Sequence, residues 1–127
     1  METIAAISTA PGLGGIGIIR ITGKEAFDIL LKVFKSRKVK KIEDIVPNTI
    51  IYGKIYDNNR MVDEVLVSFF KSPNSYTKED LVEINTHGGS IVMKEILNLV
   101  LTNGAMLAQP GEFTKRAFLN GRIDLTQ

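Results

Sequence analysis

Hydrophobic and polar positions along the chain follow two periods. Thr3–Ser8 and Gly17–Gly23 are short runs dense in β-branched residues, and they predict two strands. The period then changes. Phe27, Leu30, Leu31 and Phe34 recur at i, i+3, i+4 and i+7, which predicts a helix over Lys24–Phe34 with one buried face. Thr49–Tyr56 and Val62–Phe70 return to strand character and are joined through Asp57-Asn58-Asn59-Arg60, a hairpin connection. A polar loop, Lys71–Asp80, leads to a short strand, Leu81–Thr86. His87-Gly88-Gly89-Ser90 is a tight turn into a helix, with Ser90 as its expected N-cap. Over Ile91–Thr102 the polar residues Lys94, Glu95, Asn98 and Thr102 form one narrow stripe, so this helix is expected to be well buried. Asn103-Gly104 ends it, Ala105–Gln109 reads as a short strand, and Pro110-Gly111 opens a last helix that runs to about Asn120 and stops at Gly121.

The predicted order is β-β-α-β-β-β-α-β-α, with no internal repeat and no linker. It implies an α+β fold in which helices pack on one face of a mixed or antiparallel sheet. Residues 122–127 read like the first turn of another helix cut short, so the chain is expected to be a piece of a longer protein.

Composition narrows the chemistry. The chain has 127 residues, enough for one domain with a real core. It has no cysteine, which removes disulfides, thiolate metal sites and cysteine nucleophiles, and its single histidine excludes a histidine-rich metal site. No apolar run approaches the ~20 residues of a membrane span. Met-Glu-Thr-Ile offers no positively charged start and no cleavage site, so a cytoplasmic protein is expected. The net charge of +2 hides an asymmetry. Lys32, Lys35, Arg37, Lys38, Lys40 and Lys41 form an acid-free stretch, and without them 10 of the 16 basic residues face 14 acidic ones. This stretch reads either as a solvated helix end and loop or as an RNA-binding segment.

Gly12, Gly14 and Gly17 spell G-x-G-x-x-G, the dinucleotide fingerprint. That motif needs a helix to begin at its last glycine, whereas Ile18, Ile19, Arg20, Ile21 and Thr22 continue as strand. A P-loop fails as well, because Ile18 and Ile19 stand where Lys and Ser/Thr are required. The glycines are therefore expected to connect two strands and to allow a close backbone approach. His87-Gly88-Gly89 suggests an oxyanion-hole loop, an anion site at a helix N-terminus, or simply a tight turn; no G-x-S-x-G serine accompanies it.

Arg20 and Glu83 each sit among apolar neighbours, where charge is costly without a partner. Strand alternation puts Ile16, Ile18 and Arg20 on one face, and turns Val82 and Ile84 away from Glu83. They can pair with each other on a wet face. They can instead bind a ligand, the carboxylate accepting from a planar N–H pair of an aminopyrimidine and an arginine fork holding an anionic tail. Arg122 follows the stop at Gly121.

Three segments carry a resemblance: IAAISTAPGLGGIGIIRITG from Ile4, SYTKEDLVEINTHGG from Ser75 and PGEFTKRAFLNGRIDL from Pro110. Together they resemble the N-terminal domain of the MnmE/TrmE family of tRNA modification GTPases. The likeness runs through almost the whole chain, with only the stretch from about Val33 to Arg60 matching in outline. The resemblance implies a folate-binding and dimerisation domain over 1–121, similar to the tetrahydrofolate-binding domains of aminomethyltransferases, and the start of a truncated helical domain at 122–127. It implies a homodimer that binds a tetrahydrofolate derivative (5-formyl or 5,10-methylene). Arg20, Glu83 and Arg122 fall on the family's folate contacts; many relatives have lysine at the last. It implies a parent enzyme that works with the flavoprotein MnmG on carbon 5 of the wobble uridine of tRNA, adding a carboxymethylaminomethyl-type group. That parent hydrolyses GTP with magnesium and potassium. This chain has neither the G-x-x-x-x-G-K-[S/T] nor the Asn-Lys-x-Asp motif, so it is expected to bind folate, with no catalytic or metal-ligating residue of its own, and not to bind GTP. Two alternatives remain beside this: an RNA-binding module through Lys32–Lys41, and a ligand-free dimer scaffold.

Overall fold

The computed structural model describes residues 1–121. Its elements are β1 (Ile4–Thr9), β2 (Gly17–Thr22), α1 (Ala26–Val33), β3 (Phe34–Lys35), β4 (Thr49–Asp57), β5 (Arg60–Phe70), β6 (Leu81–Thr86), α2 (Gly89–Thr102), β7 (Met106–Leu107) and α3 (Glu112–Leu119). The strands form one sheet in the order β3-β4-β5-β6-β2-β1-β7, in which β1 and β7 are parallel and the other pairs antiparallel. This is the expected α+β fold on a mixed sheet.

The strand parities explain the layering. Ala5, Ile19, Ile21, Ile55, Val65, Val67, Phe69, Val82 and Ile84 point to one face and are buried there with Phe27, Ile29, Leu30 and Val33 of α1 and Met93, Ile96 and Val100 of α2. Phe27 meets Phe69 edge-on, with ring centroids 5.7 Å apart. The other face carries Ala6, Ile18, Arg20, Ile50, Tyr52, Leu66, Ser68, Glu83 and Asn85, since successive side chains alternate across a strand. Among the described residues, only one end of that face is covered. There Thr22 meets the 71–80 loop, and the loop in turn holds α3.

Three details differ from the pattern-based expectation. First, helix α1 ends at Val33, and Phe34 turns extended to begin β3, which pairs with Ile55 and Lys54 of β4. Gly53 permits this, because a Cβ there would collide with the Phe34 ring and the Lys35 carbonyl. Second, α2 buries one face rather than most of its surface: Ile91 is 82% exposed, because no described residue packs over the side turned from the sheet. Third, α2 begins at Gly89 with Gly88 as N-cap, so Ser90 lies inside the helix and makes no capping bond. Asp63 of β5 instead braces the turn that leads into the helix: its Oδ2 accepts the backbone N–H of His87 at 2.8 Å and of the N-cap Gly88 at 3.1 Å.

Candidate functional site: an ion pair on the open face of the sheet

Arg20 and Glu83 are direct cross-strand partners on β2 and β6. Opposed residues on neighbouring antiparallel strands stand about 5 Å apart at Cβ, so a long cation and a carboxylate meet without strain. Arg20 Nε donates to Glu83 Oε2 at 2.6 Å. The pair is half-buried, with side chains 38% and 21% exposed. Ala6 continues the row on one side, and Ser68 and Ile50 on the other. Among the described residues, Glu83 Oε1 and the two terminal nitrogens of Arg20 have no hydrogen-bond partner. The arrangement therefore presents a carboxylate edge and a guanidinium fork side by side. Both can engage a planar polar ligand while each neutralises the other. Arg122, the third sequence candidate, lies outside the described residues.

One row along the same face, a buried network bounds this site. The hydroxyls of Thr22 and Thr77 are 2.6 Å apart, and Thr22 also donates to Glu79 at 3.0 Å. Arg116 of α3 donates to both oxygens of Glu79, at 3.2 and 3.4 Å, and to Glu112 at 3.4 Å. Asn120 donates to the Thr77 carbonyl at 2.8 Å. The last described turn of the chain is thus tied two residues along β2 from Arg20. Sequence reasoning missed Arg116. The signal was there: Phe113, Arg116, Ala117 and Asn120 share the inward stripe of α3 at helical spacing.

The glycine loop and the histidine turn pack against each other. Gly14 and Gly15 both have positive φ, and a Cβ on Gly15 would stand 3.0 Å from the Gly89 nitrogen and 3.1 Å from the His87 carbonyl oxygen. The expected close backbone approach is to the start of α2. At the mouth of the helix the Asp63 carboxylate already stands against the N–H of Gly88, the N-cap, and that of His87 before it, so a negative charge from the chain itself sits there. His87 Nδ1 lies 3.0 Å from the Glu64 carbonyl oxygen, so the three residues form a structural turn. Among the described residues no group of His, Cys, Asp and Glu is placed to hold a metal ion, and no helix is long and apolar enough to cross a membrane.

A mixed sheet with one helix-covered face and one face bearing a polar pair defines a small α+β module. The family model described as "GTP-binding protein TrmE N-terminus" matches residues 3–122. The chain belongs to this family. It is 58% identical over 126 residues to the tRNA modification GTPase MnmE of Clostridioides difficile, and 59% identical over 128 residues to that of Thermoanaerobacter pseudethanolicus. The MnmE of Streptococcus mutans is 54% identical over 126 residues. Each comparison covers 99% of this chain but only 27–28% of the relative, so the chain spans little more than a quarter of the length of these proteins.

Proposed function

We propose that this chain binds a reduced folate on the open face of its sheet, as the dimerising N-terminal module of a tRNA modification GTPase. The observation that carries the reading is the Arg20–Glu83 pair, held in register on adjacent strands with its outer oxygen and nitrogens unpartnered among the described residues. Glu83 accepts the paired N–H donors of a pterin edge. Arg20 steadies that carboxylate through Nε and keeps its terminal nitrogens for an anionic part of the ligand. Arg122 supplies the third charge, two residues past an asparagine tied to Thr77. The bound tetrahydrofolate, at the 5-formyl or 5,10-methylene level, brings the one-carbon unit. GTP, magnesium and potassium belong to the rest of the parent protein. That parent works with MnmG at carbon 5 of the wobble uridine of tRNA, where a carboxymethylaminomethyl-type group is added.

The test is thermal. A ligand selective for the native state stabilises it by about 2.7 kcal/mol at a hundredfold excess over Kd, which for a chain of this size raises Tm on the order of 10 °C. 5-Formyltetrahydrofolate is expected to produce such a rise, and Glu83→Ala, at a partly buried position on the open face, to remove it while the variant still melts cooperatively. A full rise in Glu83→Ala contradicts the assignment.

The dimer is proposed to form through the tip of the glycine loop. Leu13 is fully exposed there and Ile16 is exposed beside it, on a turn braced against α2. An exposed apolar pair on a stiff support is the kind of surface that a second copy covers. Leu13→Asp is expected to convert a dimer into a monomer in sedimentation velocity. A variant that sediments as the dimer places the interface elsewhere.

A further inference from the structure

The opposite edge of the sheet carries a second concave surface, unrelated to the folate reading. It is a cleft of about 760 Å³ between the basic loop after α1 and the outer face of β4. The cations Lys35, Arg37, Lys38 and Lys54 line it together with Tyr52 and Tyr56, and no acidic residue does. Read as sequence, the basic stretch has no aromatic partner beyond Phe34. Folding supplies two, because β3 pairs with β4 and brings Lys35 beside the alternating row Tyr52, Lys54, Tyr56. Lys32 is drawn away from the cleft and donates to the Asn103 carbonyl at the end of α2.

The geometry is specific about charge. Lys35 and Lys54 are direct cross-strand partners, a like-charge juxtaposition that costs stability unless an anion is shared between them. Glu64 stands across from Lys54 on the other side but makes no ion pair with it. Lys35 Nζ sits 5.2 Å from the centre of the Tyr56 ring, whereas Tyr52, across from Leu66, is 54% exposed. Cations that follow a groove, with tyrosines projecting from a sheet, are the elements by which proteins hold single-stranded nucleic acid. The cations take the phosphates and the rings stack on unpaired bases. An acidic peptide would satisfy the cations but leave the tyrosines without a role. The relatives named above are tRNA modification enzymes, so an RNA strand is at hand in their chemistry.

We infer that this cleft binds an unpaired RNA segment, its phosphates on Lys35, Arg37, Lys38 and Lys54 and a base on Tyr52. The test is anisotropy of a labelled oligouridylate titrated with this chain, beside an RNA duplex and a heparin fragment. Four phosphate contacts to a single strand give a slope of log K against log salt of about −3. The double variant Lys35→Glu/Lys54→Glu is expected to weaken binding more than about tenfold and to flatten that slope. Tyr52→Ala is expected to cost about tenfold with the slope unchanged, the signature of lost stacking. Both variants change partly exposed side chains, and an unaltered melting profile confirms that they fold. Full affinity in either variant, or duplex or heparin binding as tight as the single strand, overturns the inference. Neither result touches the thermal response to folate, so the two readings fail separately.

Discussion

Arg116 illustrates how much a single side chain can hold together. Its side chain is only 4% exposed, and it joins α3 to Glu79 and through it to Thr22 of β2. Removing one partner of a buried pair leaves the other charge uncompensated, at a cost of about 3 kcal/mol. Arg116→Ala is therefore expected to lower the free energy of unfolding in urea by that amount, and Arg116→Lys by less, since an ammonium retains the charge but loses the fork. A change below about 0.5 kcal/mol would mean that α3 is held by its apolar contacts alone. Arg20 and Glu83 were legible in the sequence as charges among isoleucine, leucine and valine. That they pair with each other was one of the readings the sequence left open; the choice rested on the register of β2 on β6, which is set by pairings 63 residues apart. Arg116 was obscured by its neighbours Thr114 and Lys115, which make the segment look like an ordinary polar helix.

At the scale of elements, the long strands and helices were read within a residue or two, because each carries an unbroken period of its own. What failed were the features supplied by a neighbour. Strand β3 is two residues long and exists because Gly53 on the next strand lets the Phe34 ring and the Lys35 carbonyl come close. The brace on the turn before α2 comes from β5, and Ser90, the local candidate for a cap, is not used. There was one sign: Asp63 shares its parity with Val65, Val67 and Phe69, so an acid stood at a core-facing position. Two hydrogen bonds to backbone amides and the nearby helix dipole together make such a carboxylate worth about 1 kcal/mol. Asp63→Ala is expected to lower Tm by about 4 °C, with amide exchange accelerated first in the opening turn of α2. Unchanged Tm and exchange would show that the turn holds itself.

On the scale of the whole molecule, the sheet divides the labour. One face is closed by α1 and α2 and supplies the core; among the described residues the other is closed only at the end where the 71–80 loop and α3 dock. The open remainder holds the Arg20–Glu83 pair near its middle and the Tyr52–Lys54 row toward the edge. That α1 and α2 share one face was predictable from the spacing of their apolar stripes, whereas α3, expected on the same face, docks with the 71–80 loop at the end of the other. Which strands lie at the centre was not predictable, since the order β3-β4-β5-β6-β2-β1-β7 brings β6 beside β2 across four intervening elements. Of the three charges the family resemblance names, Arg20 and Glu83 stand opposite each other and Arg122 lies outside the described residues. The most direct measurement is a crystal structure of the chain with 5-formyltetrahydrofolate. The account predicts the pterin edge within about 3 Å of a Glu83 carboxylate oxygen, with Arg20 still paired to that residue. A folate seated on any other surface, with the Arg20–Glu83 pair untouched, would contradict it.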